Sequence, residues 1–164
     1  MTGSPRRLLG RLRRAASTIG SAADAILFLR MVGWALALRS LKVVMPIRSL
    51  VRLMASPSSA RLTGRTRDRV VELADLAHRA AGMGLRENCL ERSLIIFRYL
   101  GGTESSPHLV VGAKAGQGRV EGHVWVTVGE ETVYHEAGHT DEYVPVTSFA
   151  ADGTSLSVAA GRRE

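Results

Sequence analysis

Residues 88–136 constrain the fold more than any other part of the chain, because a helical period there gives way to a period of two. In NCLERSLIIFRYL, residues 88–100, Leu90, Ser93, Leu94, Phe97 and Leu100 recur at helical spacing, and Gly101 and Gly102 supply the stop. Two β-branched stretches follow, HLVVGAK over 108–114 and HVWVTVGEETVYHE over 123–136. Gly129 and Glu130 are the natural turn of the second stretch, and so short a turn joins antiparallel strands. The expected class is therefore α+β, with a helix packed on a small antiparallel sheet. VGAKAGQGR, 111–119, contains glycines and Lys114 but lacks the Gly-Lys-Ser/Thr ending of a phosphate loop, so it reads as a hairpin loop.

The rest of the chain divides by charge. Residues 1–60 hold ten Arg and Lys against Asp24 alone, whereas residues 61–164 hold twelve cations and fourteen anions. A basic, apolar first third followed by a near-neutral body points to an acidic partner or a membrane surface for the first third. Its longest uncharged run inside the apolar stretch, Met31 to Leu38, is far short of a membrane span, and Arg30 interrupts what would be the apolar region of a signal peptide. Apolar residues at helical spacing from Ile26 to Val43 predict instead an amphipathic helix, with Ser21 or Asp24 at its start and Pro46 at its end. That helix either packs on its own domain or docks at a membrane surface or partner. SPSSARLTG, 56–64, is a turn-rich break, and it sets an α-helical extension over 1–58 apart from a domain over 59–164. Another helix is expected over 67–82, with His78 near its end as a surface or dipole-pairing histidine.

Cys89 is the sole cysteine among 164 residues, which excludes an intrachain disulfide and any thiolate cluster and makes a reducing cytosol the default setting. It stands at a helix start, where unpaired amides and the dipole favour a thiolate and can hold a developing oxyanion. Pairing across Gly129-Glu130 runs Thr127 with Thr132, Trp125 with Tyr134 and His123 with Glu136, so these six side chains share one face, with His135 on the other. Cysteine, histidine and acid in that arrangement suit nucleophilic catalysis, with histidine taking the thiol proton and the acid fixing its tautomer. The bland alternative makes Cys89 a small core residue and His123 a satisfied edge histidine. His135, His139, Glu136 and Asp141 match no metal-ligand spacing, and the basic third lacks the aromatic interleaving of a nucleic-acid binder, so neither a metal, a cofactor nor nucleic acid is expected.

Cys89-Leu90-Glu91-Arg92-Ser93-Leu94, then LVVGAK, then GHVWVTV at 122–128, resembles the transglutaminase-like leader peptidases of lasso-peptide biosynthesis, the B-two family. That family carries a Cys-Leu-x-Arg-Ser motif, a Val-Gly strand and a His-Ala-Trp-Val strand in the same order, and the resemblance covers about residues 25 to 146. It implies a papain-like or transglutaminase-like α+β fold whose cysteine cuts the leader from a ribosomally made precursor peptide. It also implies two partners, a separate leader-recognition protein and an ATP-dependent lasso cyclase. The expected location is cytoplasmic, with peripheral contact at the inner face of the membrane through the amino-terminal helix. Two departures stand out: His-Ala-Trp is His123-Val124-Trp125, and the family's aspartate falls on His135. Glu136 is preferred as third member, because a carboxylate stabilises an imidazolium better, with His135 as the alternative. A bulge of one residue would move the register between them.

Overall fold

The computed structural model describes residues 19–55, 66–81, 89–101, 106–116, 118–134 and 140–156. Helix α1, Ala22–Val44, starts where Ser21 caps it, the hydroxyl accepting the N–H of Asp24 at 3.1 Å. It ends at Met45, before Pro46. Pro46 then opens a second helix, α2, Ile47–Met54, that the sequence reading did not anticipate. Its ring fixes φ at a helix-compatible −66°, and it lacks only an N–H that a helix start leaves unpaired in any case. Helices α3, Arg67–Ala80, and α4, Cys89–Leu100, follow the predicted spans closely.

Five strands form one antiparallel sheet: β1, Pro107–Ala115; β2, Val120–Val128; β3, Glu131–Tyr134; β4, Val144–Phe149; and β5, Ser155–Leu156. Their spatial order is β3-β2-β1-β4-β5. The glycine-rich stretch from 111 is mostly strand, since β1 continues to Ala115 and the loop is only the tight return in which Gly116 N–H donates to Arg119 O at 2.8 Å. Gly129 takes a φ of +61°, as the turn from β2 to β3 requires.

Helix α4 is the centre of the packing. Every residue from Glu91 to Phe97 is buried, because α1, α2 and α3 cover one side of it and β1 and β2 the other. One hydrophobic cluster joins Leu94, Ile95 and Phe97 of α4 to Val70, Leu73 and Ala77 of α3 and to Leu109, Val124, Val126 and Phe149 of the sheet. The helices set apart in the sequence as an extension over 1–58 share this core, with Leu27, Met31, Ala35 and Leu38 from α1 and Leu50, Val51 and Met54 from α2. Arg98 of α4 lies 4.5 Å over the Trp34 ring of α1 and donates to Leu53 O of α2 at 3.1 Å. At the far end of the fold Arg67 donates twice to Glu131, at 2.8 and 3.0 Å, and ties the start of α3 to the start of β3. Hydrogen bonding and charge from Arg67 hold the Glu131 carboxyl below its ordinary range. Among the described residues no helix is long and apolar enough to cross a membrane.

Candidate active site

Cys89 is the first residue of α4, as expected, and is half-buried against the hydrophobic core. The residues behind it in the motif each fasten the helix start to a different element. Glu91 is buried completely and meets Lys42 of α1 at 2.7 Å and His78 of α3 at 3.8 Å. Arg92 reaches Asp75 of α3 at 3.8 Å. Ser93 donates to the carbonyl of Val124 at 2.9 Å in a buried hydrogen bond. The last contact bears most directly on the candidate pair, because Ser93 is about one helical turn beyond Cys89 and Val124 adjoins His123.

His123 lies in β2, paired with Gly112 of β1. Its ring stacks on Trp125, with centroids 5.9 Å apart, and tilts against Tyr143 at 5.0 Å. Successive strand residues face opposite sides of a sheet. Val124 and Val126 enter the core beneath α4, so His123 and Trp125 occupy the other face. The structure thus brings the backbone beside His123 to the start of α4, yet holds the imidazole on the sheet face away from that helix.

The pairing of β2 with β3 corrects the hairpin count. Val128 pairs with Glu131 and Thr127 with Thr132 as predicted, but a bulge then sets Tyr134 opposite Val126 rather than Trp125. The pairing that faced Glu136 toward His123 loses its geometric basis at this bulge. Glu136, His135 and His139 lie outside the described residues.

The neighbours of His123 are closely fitted. A Cβ on Gly112 would stand 2.6 Å from the Trp125 ring and 3.1 Å from Tyr143 Cβ, so a side chain there displaces the platform on which the imidazole rests. Lys114 sits 4.8 Å over the Tyr143 ring and donates to Glu142 at 2.7 Å, a bond that raises the Lys114 pKa above its ordinary value. Gly112→Ala is expected to destabilise the fold by about 1–3 kcal/mol, as overpacking does, and to shift the tryptophan fluorescence. Thermal unfolding and emission spectra check both effects, and unchanged stability with an unchanged spectrum would contradict the close approach of Gly112 to the Trp125 ring.

Sequence reasoning missed Glu91 and misplaced His78, which is buried rather than at the surface. The signal for both was periodicity. His78 follows Val70 and Ala74 at intervals of four, and Glu91 precedes Leu94 by three and Ile95 by four, so each lies on its helix's buried stripe.

The sequence profile described as the transglutaminase-like superfamily matches residues 28–148, which contain α4, both motif strands and most of α1. The chain belongs to the transglutaminase-like superfamily. No curated protein and no solved structure shows significant similarity to it. The superfamily generally comprises cysteine-dependent enzymes and includes cysteine peptidases, and this transglutaminase-like chain has the α+β architecture expected from its sequence.

Proposed function

We propose that the chain is a cysteine leader peptidase that releases the leader from a ribosomally made lasso-peptide precursor. The observation that carries the reading is Cys89 at the start of α4, in a first turn tied through Ser93 to the strand residue beside His123. In the proposed reaction the Cys89 thiolate attacks the scissile carbonyl carbon, and amides at the helix start stabilise the oxyanion. This requires the His123 ring to turn from the Trp125 face toward Cys89, where it takes the thiol proton and then gives it to the leaving amine as the C–N bond breaks. Water then hydrolyses the thioester, which frees the leader's carboxylate and restores the thiol. The register shift supports His135 over Glu136 as the group that orients the imidazole. A separate recognition protein would present the leader, and an ATP-dependent cyclase would close the ring. A reducing cytoplasm suits a lone working thiol.

The position of the imidazole between Trp125 and Tyr143 favours a second reading, a non-catalytic transglutaminase-like binding or scaffold module in a peptide-modifying complex. Mass spectrometry of a lasso-peptide precursor, incubated with the chain and a leader-recognition protein, separates the two. The peptidase reading expects a leader fragment and a core fragment from one cut. Intact precursor, bound but uncut, would establish the scaffold.

A further inference from the structure

Helix α1 is apolar on two opposite sides, and only one of them is covered. Leu27, Met31, Ala35 and Leu38 are at most 3% exposed. Ile26, Leu29, Leu36, Val43 and Val44 are 52–79% exposed. Leu29, Leu36 and Val43 recur at intervals of seven, and with Ile26 they line the side away from the core. The row from Ile26 to Val44 is about 27 Å long at 1.5 Å per residue. An apolar row this long is ordinarily covered, so the exposed side of α1 calls for a partner.

The charges on α1 and on the helix that follows it identify the partner's chemistry. Arg30 and Arg39 of α1 and Arg48 and Arg52 of α2 are all exposed. Asp24, the only carboxylate on either helix, is buried and held by Arg69 at 2.9 Å. The sequence before α1 adds Arg6, Arg7, Arg11, Arg13 and Arg14 and no acid. A second copy of this chain would set these cations against their own kind with no carboxylate to pair them. A surface that is apolar within and anionic at its rim fits both features, because the Leu, Ile and Val side chains enter the acyl region while guanidinium groups reach phosphates.

We propose that the outer face of α1 rests in the interface of an anionic lipid bilayer, lying along the surface rather than crossing it. This docking is independent of Cys89 chemistry and leaves the candidate site on the body of the domain.

Co-sedimentation of the full-length chain with vesicles tests it, using phosphatidylglycerol mixed with phosphatidylcholine against phosphatidylcholine alone. Binding to the anionic vesicles is expected at 0.1 M salt. It should fall at least about tenfold at 1 M, where the Debye length shortens from about 10 to about 3 Å. Arg30→Gln with Arg39→Gln should weaken it roughly thirtyfold, since each cation near anionic lipid contributes a factor of about five. Leu29→Gln with Leu36→Gln and Val43→Gln should weaken it at least about tenfold with the circular dichroism spectrum unchanged; should that variant fail to fold, the arginine pair decides alone. Equal binding to neutral vesicles, no binding at low salt, or full binding by the substituted chains would overturn the proposal. So would a dimer in sedimentation velocity that is lost with the Leu29, Leu36 and Val43 substitutions while vesicles are ignored, since the face would then meet a second copy.

Discussion

Cys89→Ala is expected to reduce precursor cleavage to background, a loss on the order of 10⁶-fold if the thiol is the nucleophile, as removal of a nucleophile from a coupled catalytic group generally gives. Little else should change. Cys89 is half-buried at a helix start, and alanine keeps the helix and leaves Glu91, Arg92 and Ser93 in their contacts. The variant should therefore unfold within a few degrees of the parent and still bind the precursor. Cleavage assayed by mass spectrometry, beside a melting curve, distinguishes loss of chemistry from loss of fold. Residual cutting at the parental site would assign the reaction to another group.

Glu91→Ala acts on stability instead. Glu91 carries a carboxylate that is 1% exposed, beside Lys42 and a His78 side chain that is wholly buried. Removing one member of a buried ion pair generally costs about 3–5 kcal/mol, because the remaining charge keeps its desolvation penalty without its partner. The Lys42 side chain is 32% exposed and can turn toward water, which sets the expectation at the lower end, about 3 kcal/mol. For a chain of this size that corresponds to a melting temperature lowered by roughly 6–12 °C. Glu91→Gln keeps the shape and should lose less. A Glu91→Ala chain as stable as the parent would mean that Lys42 and His78 are satisfied without the carboxylate. Loss of Glu91 should also loosen the start of α4, since it joins that turn to both α1 and α3.

The strongly periodic segments were legible in the sequence: α1, α3, α4 and the strands around Gly129 all lie where hydrophobic spacing and stop residues put them. Helix α2 was hidden because Pro46 reads as an end, although a proline both ends one helix and begins another. Strand β4 was hidden because VPVTSF contains Pro145, which suits the sparsely paired part of a strand and weakens the pattern. The side of β2 on which His123 stands was legible as a member of the Trp125 face, but alternation alone does not say which face a helix will cover. Tertiary packing decides that, and here it gives the covered face to Val124 and Val126. The bulge between Val126 and Thr127 was legible only as an option, since nothing local in Glu131-Thr132-Val133-Tyr134 demands an extra residue.

The measurement that bears most directly on the proposed site is the rate at which a peptide vinyl sulfone alkylates the full-length chain, followed by intact mass and peptide mapping. The account predicts a single adduct on Cys89, formed at least about 100-fold faster than in His123→Ala, because general-base assistance to the thiol is lost with the imidazole. Equal rates in the two chains, or no adduct while iodoacetamide still reaches the thiol, would contradict a working Cys89–His123 pair.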